Sequence, residues 1–145
     1  MRFEETTGLS DILKKTELAM RFCIDLGLAP LKMTFSQYQV LSCLEVSKNL
    51  TNADLARKSQ VTPQTMIRIL QNLERDGFIR KCAPTENKLK IEMELTPRGL
   101  KAICDAHIVV NEIELKALKG LGKKERAAFQ ATLEHCLGNL LKGKG

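Results

Sequence analysis

Thr62-Pro63-Gln64-Thr65-Met66-Ile67-Arg68-Ile69-Leu70-Gln71-Asn72-Leu73-Glu74-Arg75-Asp76-Gly77 is the stretch that decides how this chain reads. Threonine is a favoured N-cap, proline is preorganised for the first helical position, and glycine ends a helix cleanly. The stretch therefore predicts a helix that begins at Pro63 and is ended by Gly77. Met66, Ile69, Leu70 and Leu73 form its buried stripe, while Gln64, Thr65, Arg68 and Asn72 fall on the opposite, polar side.

Upstream, Ser59-Gln60-Val61 leaves room only for a tight turn. Before it, Thr51 and Asp54 have capping-box spacing and predict a short helix over 52–58 that buries Leu55 and Ala56. Thr34 and Gln37 repeat the spacing and open a helix over 35–47 that buries Tyr38, Leu41 and Leu44. Residues 9–28 place Ile12, Ala19, Phe22, Cys23 and Leu26 at three- and four-residue intervals, with charged residues between them, which predicts an amphipathic first helix stopped near Gly27 and Pro30.

Downstream, Phe78 to Cys82 and Leu89 to Leu95 predict two strands, the second alternating apolar and charged residues, joined by a loop over 83–88. Thr96-Pro97 repeats the cap-plus-proline start and launches a helix of roughly 97–118 through Leu100, Ile103, Cys104, Ile108, Leu115 and Leu118. Gly120 and Gly122 break it. A last helix follows to about 141 through Phe129, Leu133, Cys136, Leu137, Leu140 and Leu141.

Composition bounds the function. A chain of 145 residues with 43% apolar content fits one folded domain with a real core. No run approaches the roughly 18 apolar residues of a membrane span, and the acidic start, Met1-Arg2-Phe3-Glu4-Glu5, lacks the layout of a secretory signal, so a cytoplasmic location and no membrane partner are expected. The five cysteines, at 23, 43, 82, 104 and 136, show neither disulfide nor zinc-ribbon spacing and read as reduced thiols. With no phosphate loop, nucleophile elbow or carboxylate pair, no enzyme is expected and no cofactor. Of the net charge of +6, residues 57–90 carry +5, from eight Lys/Arg against three Asp/Glu. A local basic excess favours a polyanionic partner, although a basic stretch is more often only a solvated face.

A three-helix unit with a tight turn before its last helix, followed at once by a hairpin, is the layout of a winged helix-turn-helix. The fold expected is mainly α with a small β-hairpin. The major groove of double-stranded DNA admits one helix, and a capped helix N-terminus offers free N–H groups to phosphates. Glutamine pairs bidentately with adenine and arginine with guanine, which makes Gln64 and Arg68 the candidate base readers. Thr62, Thr65, Arg57 and Lys58 are suited to hold the backbone, and Asn72 and Arg80 complete the set in the helix and the first strand. Arg68 has a blander reading as a solvent-facing charge paired with a carboxylate one turn away.

Leu50-Thr51-Asn52-Ala53-Asp54-Leu55-Ala56, Val61-Thr62-Pro63-Gln64-Thr65 through Leu73-Glu74-Arg75-Asp76-Gly77-Phe78-Ile79-Arg80, and Leu95-Thr96-Pro97-Arg98-Gly99 together resemble the core of the MarR family of regulators in type, order and spacing, continuously from about 34 to 104. The resemblance implies a homodimer intertwined through the first and last two helices, and repression of a nearby promoter, often relieved by a small molecule. It divides the chain into an N-terminal dimerisation helix (1–33), a DNA-binding lobe (34–96) and C-terminal dimerisation helices (97–145). The residues lend the dimer partial support, because the flanking helices carry more apolar surface than a winged helix of about 65 residues can cover. Two-fold symmetry would set the recognition helices about 34 Å apart on a pseudo-palindromic operator.

One feature departs from the family. Its wing signature, an Asp and an Arg two residues apart, falls on Asn87 and Leu89. Lys88 and Lys90 flank the place as point charges without a planar fork, so the wing is expected to add phosphate affinity and little minor-groove readout. The family's effector crevice falls near Phe22, Tyr38 and Leu41. Cys23, in the first helix, reads as core, with a thiol-based redox sensor as the alternative. Cys104 with His107 and His135 with Cys136 allow a thinner metal reading. A winged helix that binds a protein partner in place of DNA is the remaining rival, and salt dependence separates the two.

Overall fold

The computed structural model describes residues 8–83 and 91–142. Packing divides the chain into residues 1–113 and 114–145. The first unit opens with α1 (Leu9–Leu28), which passes into a single 3-10 turn, Ala29–Leu31, ended by Lys32 in the left-handed region. Then come α2 (Phe35–Val46), β1 (Leu50–Thr51), α3 (Asn52–Ser59), α4 (Pro63–Arg75), β2 (Ile79–Lys81), β3 (Glu92–Leu95) and most of α5 (Pro97–Ala117).

Local chemistry places these starts. Thr34 and Gln37 close a full capping box on α2, with Thr34 Oγ1 accepting from Gln37 N at 3.2 Å and Gln37 Oε1 from Thr34 N at 3.0 Å. Asp25 of α1 adds a further acceptor, taking the Phe35 N–H at 2.8 Å. It thereby ties the end of α1 to the start of α2.

The sheet has three strands in the order β1-β3-β2, all antiparallel. Leu50 lies opposite Met93. Ile79 faces Leu95, Arg80 faces Glu94 and Lys81 faces Met93. Two corrections to the sequence reading follow. β1 was not anticipated, and β2 is shorter than the run 78–82, while Ile91 stands outside β3; residues 89 and 90 of the expected second strand and 84–88 of the expected loop lie outside the described residues.

The core of this unit is one cluster. Val40, Leu41 and Leu44 of α2, Leu55 of α3, Met66, Leu70 and Leu73 of α4, and Phe78, Ile79 and Met93 around the sheet are all buried. Ile24 and Leu28 of α1 join them, as do Ile103, Ala106 and Val110 of α5. Burying each large side chain contributes about 1.5–3 kcal/mol against the chain entropy lost. Tyr38, expected among them, is only half-buried. On α1 the expected stripe is not the buried one: Ile12, Phe22 and Leu26 are exposed.

The second unit, residues 114–145, holds the end of α5, a turn through Gly120 at φ 93°, and α6 (Lys123–Lys142). No residue of α6 is buried, and Phe129, Leu133, Leu137, Leu140 and Leu141 are all exposed. Among the described residues no helix is long and apolar enough to cross a membrane.

Candidate nucleic-acid interface

The α3–turn–α4 segment is built by two caps and one strained turn. Thr51 Oγ1 accepts from Asp54 N at 3.2 Å, and Asp54 Oδ2 accepts from Thr51 N at 3.0 Å. The Thr51 backbone N–H and then its hydroxyl hold the Asp54 carboxyl below the ordinary carboxylate range, against the opposing effect of burial and with Arg57 adding to them. Gln60 ends α3 at φ 54°, a left-handed conformation that turns the chain within two residues onto the Thr62 cap of α4. Thr62 Oγ1 then accepts from Thr65 N at 3.1 Å and donates to Thr65 Oγ1 at 2.9 Å.

With Met66, Leu70 and Leu73 buried, the opposite side of α4 is left to solvent. Gln64, Ile67, Arg68 and Gln71 are all exposed there and, at 3.6 residues per turn, share an arc of about 100°. Gln71 and Ile67 were not singled out from the sequence. Asn72, which was, is half-buried at the margin of this face. The signal that could have found Gln71 is its i+7 spacing from Gln64.

The cations differ in their availability. Arg57 is paired with Asp54 at 2.8 Å, Arg75 with Asp76 at 3.4 Å, and Arg80 with the cross-strand Glu94 at 2.8 Å. All are exposed pairs, worth about 0–1 kcal/mol each, which a phosphate can displace. Among the described residues Arg68, exposed to solvent, has no carboxylate partner. Lys58 is exposed at the end of α3. Lys88 and Lys90, with the altered wing positions Asn87 and Leu89, lie outside the described residues.

Beside α4 lies a cleft of about 500 Å³ between the helix and the sheet, with Ile67, Leu70, Ile91 and Met93 as apolar walls and Arg75 and Lys81 among its polar groups. A smaller one, about 270 Å³, is bordered by Leu44, Glu45, Lys48 and Leu100. Neither takes in the residues expected to line an effector crevice. Leu41 is fully enclosed in the core. Phe22 is exposed on α1. Tyr38 shares a hydrogen bond with His107 Nδ1 of α5 at 2.7 Å, and His107 Nε2 lies 2.9 Å from Glu45 Oε1.

Both nitrogens of His107 are thus engaged, and no cluster of three or more potential ligands for a metal occurs among the described residues. Cys23 is half-buried, with neither a cation nor a hydrogen-bond donor set against it among the described residues. Burial, then the nearby Glu94 and Glu92, push the Cys82 thiol above its ordinary range, which disfavours the reactive thiolate.

Residues 33–90 match the family model described as MarR family. Over 134 residues the chain is 28% identical to the HTH-type transcriptional repressor Rv2887 of Mycobacterium tuberculosis, covering 92% of this chain and 96% of that protein. The structure of that M. tuberculosis protein in complex with DNA is similar at a TM-score of 0.76, covering 90% of this chain and 98% of the other at 28% identity. Its complex with salicylic acid gives 0.75, over 91% and 98%, also at 28% identity. Apo MarR from E. coli, 21% identical, has the same winged-helix fold, with a TM-score of 0.79 over 92% of this chain and 99% of that one.

Proposed function

The chain belongs to the MarR family of DNA-binding transcriptional regulators, and from that premise we propose that it acts as a homodimeric repressor whose α4 reads a pseudo-palindromic operator through Gln64 and Arg68. The observation that carries this reading is the state of Arg68: an exposed guanidinium, free of carboxylates among the described residues, beside the exposed amides of Gln64 and Gln71 on a helix capped by Thr62. Such a group is ready for the fork-like pairing that guanine O6 and N7 accept. Thr62, Thr65, Arg57, Lys58 and Arg80 take phosphates, the two arginines exchanging their carboxylate partners for DNA oxygens.

In the dimer, residues 1–33 and 97–145 supply the contacts between protomers and residues 34–96 the DNA contacts. The exposed apolar residues of α1 and α6 support this division. An aromatic carboxylic acid is the effector class best supported, by the salicylic acid complex of the M. tuberculosis relative. It would act by preferring a lobe spacing that mismatches the groove.

The test is fluorescence anisotropy of the full-length protein on fragments selected from its source genome. Affinity for the selected duplex should fall steeply with log[salt], at a slope of about −0.9 per phosphate neutralised. Replacing Gln64 and Arg68 together by alanine should cost about 1–3 kcal/mol per lost base pairing, while affinity for unrelated duplex changes little. Salt-independent binding, or undiminished discrimination in the double variant, refutes the assignment.

A further inference from the structure

Ile67 stands at the edge of the outward face of α4, where it also walls the cleft beside the helix. It is 46% exposed, and the inward stripe is complete without it, since Met66, Leu70 and Leu73 are buried and Ile69 is partly buried against the same core. A β-branched residue at an exposed helix position lowers helix propensity and gains little from burial in return. Its place on the helix is at one edge of the arc that Gln64, Arg68 and Gln71 share. Ile67 lies about 60° around the axis from Gln64 and about 40° from Gln71, at a height between the two.

An apolar side chain held among base-reading groups has few acceptable neighbours in a DNA groove. Against a phosphate it would strip water from a charge and return no hydrogen bond. Against the donor and acceptor atoms of a base edge it would leave them unsatisfied. The major groove displays one apolar group, the 5-methyl of thymine. We propose that Ile67 reads a thymine methyl in each half-site, as the apolar member of the set formed with Gln64 and Arg68. This rests on the reading of α4 as the recognition helix and adds to it a base identity that hydrogen-bonding residues alone do not specify.

The test removes the methyl from the DNA and the side chain from the protein. The full-length protein first enriches its preferred duplex from a pool with 20 randomised base pairs. Failure to enrich any sequence defeats the recognition-helix reading, and this proposal with it. Thymines of the enriched duplex are then replaced, one symmetric pair at a time, by deoxyuridine, which keeps the Watson–Crick edge and lacks only the methyl.

The parent protein is expected to lose about fourfold in affinity per half-site at one thymine position, the worth of one buried methyl. Ile67→Ala should bind the thymine duplex more weakly by a comparable factor and be indifferent to uracil at that position, so the two losses do not add. Its circular dichroism, and its affinity for an unrelated duplex, should match the parent's. Ile67→Val, with one methylene fewer, should retain a reduced preference for thymine, and it carries the test should the alanine variant fold poorly. Equal thymine-to-uracil ratios in parent and variant at every position would overturn the proposal, and would leave Ile67 as a wall of the neighbouring cleft only. Parent affinity unmoved by any uracil would overturn it as well.

Discussion

Gly99 shows how much one missing side chain can hold together. A Cβ at this position would lie 2.0 Å from the Phe78 carbonyl oxygen and 2.9 Å from its carbon, and both belong to backbone, which cannot swing aside. The close approach is fixed from both sides. Thr96 N donates to Phe78 O at 3.1 Å, Thr96 Oγ1 donates to Gly77 O at 2.6 Å, and Gly99 N donates back to Thr96 Oγ1 at 3.0 Å. The start of α5 is thereby bolted to the end of the α4 segment, with the Arg98 guanidinium 5.3 Å from the Phe78 ring centroid. Gly99→Ala should therefore cost at the upper end of the about 1–3 kcal/mol typical of overpacking, and a thermal melt should show a midpoint lower by about 10 °C. An unchanged melt would mean that this joint yields easily. The sequence offers Thr96-Pro97-Arg98-Gly99 as a helix start and gives no hint of this reason for the glycine, because the obstructing carbonyl comes from a distant part of the chain. The same limit applies to Ile67 and Gln71: periodicity separates the buried side of α4 from the polar side, but which residues join the outward face depends on the angle at which the helix meets the core.

At the scale of elements, the capping chemistry was the most legible part of the fold. Thr34, Thr51 and Thr62 each carry a side-chain oxygen that satisfies an N–H left open by the first helical turn, and each helix begins where its threonine says. The strands were less legible. β1 is two residues long, too short for an alternating pattern, and its Thr51 already serves as the cap of α3. It exists because β3 presents an open edge on which Leu50 and Thr51 pair with Met93 and Glu92. For α4 the cap is where stability and function meet, since Thr62 also fixes the Thr65 hydroxyl at 2.9 Å. Thr62→Ala should destabilise the fold by about 1 kcal/mol in urea denaturation and lower DNA affinity further by loosening the turn that faces phosphate. Thr62→Ser, which retains the oxygen, should recover most of both. An alanine variant as stable as the parent would show that α4 is positioned by Met66, Leu70 and Leu73 alone.

At the scale of the whole molecule, what most needs explaining is apolar surface. α6 repeats Phe129, Leu133, Leu137 and Leu140 along one side and buries none of them, while α1 leaves Leu9, Ile12, Leu18, Phe22 and Leu26 exposed. Helical periodicity revealed both stripes but could not say what covers them, because an inward stripe and a stripe meant for a second chain have the same period. A 20-residue helix with no tertiary burial is marginal in water, so α6 would fray if the chain stood alone. Leu137→Glu separates the two cases. Were the chain monomeric, a charge at a position already 51% exposed would change stability by less than about 0.5 kcal/mol. If α6 packs against a second copy, the buried carboxylate breaks the contact. Light scattering should then report a monomer at micromolar concentration, helical circular dichroism should fall, and affinity for a two-half-site operator should drop by a factor of about 100 or more, because the second lobe no longer binds intramolecularly. Affinity for a single half-site should barely change, since Gln64, Ile67 and Arg68 are untouched. A Leu137→Glu protein that sediments and binds like the parent would leave the exposed stripes without a partner and remove the basis for a two-fold operator.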